Sequence, residues 1–203
     1  RVRNPMTFTN TFKRKACRVI AALAAVACTM SLAACGADET GKIRIGIKFD
    51  QPGLGFKKSG TYVGFDVDVA KYIAKKLGYS EDQIIWKEAP SKQREAMIQN
   101  GDVDMILATY SITDERKKAV DFSSSYYNDS QSVVVKKDSK FANATKVSDL
   151  KDATVGVMVG TLAYDYAKAN IKDDIQTFND DAALAQALDA GQIDALVTST
   201  VEC

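Results

Sequence analysis

Two stretches of the chain, Gly101-Asp-Val-Asp-Met-Ile-Leu-Ala-Thr109 and Gly191-Gln-Ile-Asp-Ala-Leu-Val-Thr-Ser199, share one plan: glycine, branched residue, aspartate, apolar run. A chain that writes the same unit twice is set up to build two similar halves. Each stretch follows a helix-forming segment and leads into a strand, so Asp104 and Asp194 are expected at strand starts, doing structural work. Thr109 and Ser199 then fall at equivalent strand ends, one from each half, facing a cleft. Strands are also expected at 42–48, 83–87, 132–136, 153–158 and 175–178, and helices at 64–78, 91–99, 162–169 and 181–190. Strand and helix in alternation imply parallel crossovers and a layered α/β fold. Helix 64–78 carries Phe65, Val69, Ile73 and Leu77 at every fourth position, which predicts one buried stripe. Asp66 and Asp68 complement its positive end and Gly78 stops it.

The apolar run from Val103 to Ala108 reads as a buried strand, and Thr113 as the N-cap of a short helix with Asp114 and Glu115 in its first turn. Backbone N–H groups at such a helix start favour an anion. Arg116 adds a forked cation suited to a carboxylate, and Ser111 a hydroxyl. Two readings stand: a carboxylate clamp, or a turn whose Arg116 pairs with a nearby acid. Arg94 lies in the first turn of helix 91–99, where the dipole disfavours it; it is either a solvated arginine or one that reaches an anion. Residues 49–56 form a turn-rich loop at the carboxyl end of the first strand, where open α/β sheets bind ligands. Lys48 at its root is either a surface lysine or a cation for a second ligand carboxylate. Gly160 permits close backbone approach, and Thr161 presents a hydroxyl and an N–H at a helix start.

The first 36 residues carry six basic and no acidic side chains, and the remainder carries a net charge of −5. Nothing there resembles a nucleic-acid footprint. Basic residues up to Arg18, an apolar run from Val19 to about Met30 and the small residues Leu32-Ala-Ala-Cys35 describe a secretory signal, too short to span a bilayer comfortably. Its ending resembles a bacterial lipobox, which implies a signal peptide at 1–34, a lipidated Cys35 and a tether to residue 41. Cys17 and Cys28 would leave with the signal, so Cys203 is the one other thiol. The chain has no histidine, which excludes Ser-His-Asp and Cys-His machinery and disfavours the usual zinc sites. No metal or cofactor is expected.

The run Ser-Ile-Thr-Asp-Glu-Arg-Lys-Lys-Ala-Val-Asp-Phe-Ser over 111–123, with Gly-Phe-Asp-Val-Asp over 64–68, resembles the polar amino-acid-binding proteins of ABC importers. The resemblance covers about residues 42–199, and the nearest branch is the glutamate-binding lipoproteins of actinobacteria. It implies a two-lobe periplasmic binding protein-like α/β fold, lobe one at 42–133 and lobe two at 134–203, with the crossing near 132–136. It assigns Ser111 and Arg116 to the ligand's α-carboxylate and a backbone carbonyl of Thr109 to the α-amino group. Thr161, with Lys48 and Arg94, is a candidate for the side-chain end, which favours glutamate. Ser199 stands where the family has an aspartate that pairs with the α-amino group. The family continues past position 203, so lobe two and the return crossover to lobe one are expected to be incomplete. The implied protein is a lipid-anchored, monomeric solute-binding component of an importer, on the outer face of the cell membrane, with a free amino acid and a permease as partners. It is not an enzyme. A dehydratase-like enzyme on the same scaffold and a receptor's sensing module are the alternatives. The enzyme would need an acid or base in the cleft, and the sensor a transmembrane helix.

Overall fold

Residues 40–203 are described by a computed structural model. The segment expected to be a signal peptide, and Cys35, lie outside the described residues. The first strand, β1 (Ile43–Ile47), pairs in parallel with β5 (Ile84–Glu88) on one side and β6 (Met105–Leu107) on the other. Between β1 and β5 comes a feature absent from the sequence reading. The loop after β1 folds as an antiparallel meander of β2 (Asp50–Gln51), β3 (Gly55–Lys58) and β4 (Thr61–Val63). Its strands are too short to show a period of two, so only their glycines were legible.

Helix α1 (Phe65–Lys76) crosses from the meander back over this sheet. Its buried face is Val67, Ala70 and Ala74, packed on Ile43, Ile45, Ile47 and Leu107; Phe65 and Leu77 are exposed. The expected stripe is therefore corrected in part: Val69 and Ile73 are half-buried against this core, while Phe65 and Leu77 leave it. Each step of four residues overshoots a turn by about 40°, so a series of four such positions drifts off any one face. Positions three and seven along from Val67 return to it, and two alanines let the helix lie close on the strands. Helix α2 (Arg94–Gln99) follows β5 through a 3-10 turn at Ser91–Gln93.

The second sheet runs β7 (Gln131–Val135), β10 (Ala195–Ser199), β8 (Val155–Met158), β9 (Ile175–Phe178) in spatial order. Only the β7–β10 pair is antiparallel. Helix α3 (Leu162–Asn170) covers one face, where Val155, Val157, Ala195 and Val197 meet Ala163 and Ala167. Helix α4 (Asp181–Asp189) covers the other, where Met158 and Leu196 meet Leu184 and Leu188. Every residue of β8 is buried, as a parallel strand covered on both faces requires. Because β7 is bonded along its length to β10, the passage between the sheets lies before Gln131, N-terminal to the expected crossing.

Candidate functional site

The carboxyl ends of β1 and β6 meet those of β8 and β10 across a small cavity lined by Gln51, Ser91, Arg94, Thr109, Ser111, Arg116, Thr161, Ser199 and Glu202, among others. Its volume is about 20 Å³, room for a water molecule rather than an amino acid. At the end of β6 the chain bends sharply: Thr109 has φ 48°, a left-handed conformation that a β-branched residue adopts only under constraint. The constraint is visible. Its N–H donates to Asp66 Oδ2 at 3.0 Å, and its hydroxyl donates to Gln51 Oε1. Asp66 is 3% exposed and also accepts from the Tyr126 hydroxyl at 2.8 Å. It sits in the first turn of α1, where the helix dipole favours it. The dipole account of Asp66 is thus incomplete, because this carboxylate also holds the strand end in shape. Burial, with Asp66 beside it, pushes the Tyr126 phenol well above its ordinary range.

Beyond Thr109 the expected helix is a single 3-10 turn, Arg116–Lys118. The N-cap position of this turn falls on Glu115 rather than on Thr113, although the Thr113 hydroxyl accepts from Arg116 N–H at 3.2 Å and its carbonyl from Lys117 N–H at 3.0 Å. Both N–H groups are consumed in this way. Two guanidiniums lie beside the turn. Arg94, 2% exposed, spends Nε on the Ser91 carbonyl (3.0 Å) and Nη1 on the Ala108 carbonyl (2.9 Å). Arg116 donates Nη1 to the Ser111 carbonyl at 2.9 Å. Arg116 Nε lies 3.6 Å from Glu95 Oε1, the nearby acid of the second reading, and the Nη2 atoms of both arginines converge on one atom, the carbonyl oxygen of Gly160, at 2.9 and 3.0 Å. The Tyr110 ring lies 4.3 Å from the Arg94 guanidinium carbon and 4.7 Å from that of Arg116, within cation–π reach of both. Tyr110 in turn donates its hydroxyl to Glu95. Burial, and then Arg116, lower the Arg94 pKa to about 10, which leaves it charged at neutral pH.

The second half contributes Gly160 first. Its φ is +77°, and a Cβ there would lie 2.7 Å from Lys92 Cα in the first half. Backbone thus meets backbone where the two halves touch. The Thr161 hydroxyl donates to the Met158 carbonyl at 2.7 Å, and its side chain lines the cavity. Ser199 lines it too, and the chain then turns through Thr200–Glu202, which brings the Glu202 carboxylate inside. Glu202 accepts from Gln51 Nε2 and from the Thr198 hydroxyl.

Of the residues singled out from sequence, Arg116, Arg94, Ser111, Thr109, Thr161 and Ser199 come together around this cavity. Lys48 does not line it. It is 1% exposed, with Nζ 3.0 Å from Asp50 Oδ1 and 3.7 Å from Asp181 Oδ2, so it ties the first half to the start of α4. Burial raises the Asp181 carboxyl pKa, and the charge of Lys48 opposes that rise. Sequence reasoning missed Glu202, Gln51 and Tyr110. Tyr110 directly follows the strand end and was within reach of it. Gln51 lies in a meander read as loop, and Glu202 depends on a turn that no local pattern announces.

Residues 43–158 match the family described as bacterial extracellular solute-binding proteins, family 3. The glutamate-binding protein GluB of Corynebacterium glutamicum is 34% identical over 92% of this chain and 68% of its own length. A glutamine-binding protein of Geobacillus stearothermophilus is 41% identical over 78% of this chain and 61% of its own. Among solved structures, an ancestral arginine-binding protein bound to arginine superposes with a TM-score of 0.71, at 36% identity, over 80% of this chain and 71% of that one.

Proposed function

The chain belongs to the bacterial extracellular solute-binding proteins of family 3, with a periplasmic binding protein-like α/β fold, and we propose that it captures a free polar amino acid, glutamate foremost. The observation that carries this reading is the convergence of Arg94 and Arg116 on one acceptor between the two halves. Two like charges brought to one point repel unless an anion or a carbonyl oxygen lies between them. Here the Gly160 carbonyl does so. A ligand carboxylate taking its place adds a full negative charge and a second oxygen, a stronger partner for both guanidiniums. Arg94, expected at the side-chain end, therefore joins Arg116 and Ser111 at the α-carboxylate. The Thr109 carbonyl and Ser199 remain in the role of α-amino partners, and Thr161 in that of a side-chain contact. Lys48, whose charge is answered by Asp50 and Asp181, has no part in this reading.

A cavity of about 20 Å³ means that an amino acid enters only when the halves move apart. Micromolar affinity needs about 8 kcal/mol from about ten heavy atoms. Charged hydrogen bonds supply about 1.5–3 kcal/mol each, so both ends of the ligand must be gripped at once, which a hinge closing over it achieves. Glutamate stands first because the relative named for glutamate aligns over 92% of this chain. The glutamine-binding relative makes glutamine the comparison. In this reading the ligand is delivered, unchanged, by a monomer to an ABC permease. A lipid on Cys35 keeps the protein at the outer face of the membrane, a role supported by the lipobox-like Leu32–Cys35.

Calorimetric titration with L-glutamate, L-glutamine, L-aspartate and L-arginine tests the reading, with Arg116→Ala as control. Glutamate binding that falls about 100-fold in the control, taking two charged bonds of about 1.5 kcal/mol each as lost, supports it. Binding of none of the four, or consumption of a ligand during incubation, overturns it.

A further inference from the structure

We propose that Glu202 is the residue that receives the ligand's ammonium group, held against the Thr109 strand end by Gln51. The inference rests on the amino-acid reading of the cavity and names the partner of the end that the arginines cannot take. The charged side chains lining the cavity are Arg94, Arg116 and Glu202. An ammonium group withdrawn from water needs an opposing charge or a full set of acceptors. Among the neutral acceptors nearby, the Thr109 carbonyl already takes Arg94 Nη1 at 3.4 Å, and Gln131 Oε1, buried and unpartnered in the lining, brings a dipole but no charge. Glu202 supplies the charge.

Its position is fixed from both halves. One carboxylate oxygen accepts from Gln51, whose own carbonyl accepts the Thr109 hydroxyl; the other accepts from Thr198. A relay of Thr109, Gln51 and Glu202 thus places the carboxylate at the end of β6, away from the Gly160 carbonyl that marks the arginine pair. Two bonds leave acceptor capacity on an ionised carboxylate, which offers about four lone-pair sites. A zwitterion lying between these points meets a cation pair at one end and an anion at the other.

The surroundings give the assignment a signature. Burial, reinforced by Asp181 and Asp129 and opposed by the Thr198 hydrogen bond and by Lys48, pushes the Glu202 carboxyl up to about 7. A proton there competes with an ammonium ligand. Binding favours the ionised form, so affinity rises with pH from about 6 to about 8 and binding near pH 7 releases a proton.

The test pairs each amino acid with its desamino analogue, L-glutamate with glutarate and L-glutamine with glutaramate, titrated calorimetrically into the full chain and into Glu202→Gln. The expected result is an affinity for the amino acid lower by about 10- to 100-fold in the variant, with the analogue's affinity changed less than about threefold. Titrations in buffers of different ionisation enthalpy should show proton release near pH 7 that the variant lacks. Unchanged amino-acid affinity in E202Q overturns the proposal while leaving the amino-acid reading intact. Equal losses for amino acid and analogue mark a structural role and overturn it too. A chain that binds no amino acid removes the underlying reading, and this inference falls with it.

Discussion

At the start of β6, Asp104 gives its N–H to the Arg44 carbonyl and its carboxylate takes the Arg44 N–H, each at 2.8 Å. At the start of β10, Asp194 does the same with Thr154, again at 2.8 Å both ways. Five residues later the two strands part company. Thr109 turns into the left-handed region and is held there by Asp66. Ser199 stays extended, at φ −63° and ψ 139°, and runs into a 3-10 turn that delivers Glu202. The shared start answers a shared need, since a new strand must pair its first backbone groups with its neighbour. The ends face the cleft, where backbone shape is free to serve a ligand. A bend on one side offers the Thr109 carbonyl, and a turn on the other offers a carboxylate.

The largest expected effect comes from breaking the bend. In Asp66→Ala the Thr109 N–H and the Tyr126 hydroxyl lose a charged acceptor inside the protein. At about 1.5–3 kcal/mol per charged bond, less the desolvation that the carboxylate no longer suffers, urea unfolding should show a loss of about 2–4 kcal/mol. Ser199→Ala, at the equivalent strand end, should stay within about 0.5 kcal/mol of the parent. A loss below about 1 kcal/mol in Asp66→Ala would mean that the bend holds itself.

Next in size is the contact between the halves. Gly160→Ala must place a Cβ 2.7 Å from Lys92 Cα while keeping φ +77°. The left-handed strain alone is about 1–2 kcal/mol, and the clash adds to it. The added Cβ should keep the halves from closing fully, and ligand affinity should fall by about 10- to 100-fold with a smaller change in thermal stability, read by calorimetry and melting. Unchanged affinity would show that closure does not require backbone contact at this point.

How far the sequence carried the structure follows the same division. Strands and helices were legible wherever burial imposes a period, as in β1 with its alternating isoleucines and in the fully apolar β8. So was the duplicated Asp104 and Asp194 pattern, because its partners are backbone. The arginine pair was half legible. Arg116 stood in a long motif, whereas the role of Arg94 depends on Gly160, 66 positions away. Lys48 went to Asp50 and Asp181 rather than to the cavity because α4 brings a second carboxylate against it. Glu202 was invisible for the same reason. Its neighbours Gln51 and Thr109 come from the other half, and no local pattern encodes a contact between halves.

The finest separation of the two strand ends uses glycine at each. Thr109→Gly relieves left-handed strain of about 1–2 kcal/mol, gives back about 0.4–1 kcal/mol through the freer unfolded chain, and loses the hydroxyl's bond to Gln51, about 1 kcal/mol. These contributions nearly cancel, so its stability should lie within about 0.5 kcal/mol of the parent. Ser199→Gly has no strain to relieve, because its backbone is extended, and should lose about 1 kcal/mol from unfolded-state entropy and lost packing. Parallel urea titrations decide the matter. A Thr109→Gly protein as destabilised as Ser199→Gly would mean that Thr109 stores no strain, and that the bend is simply the chain's easiest route out of the sheet.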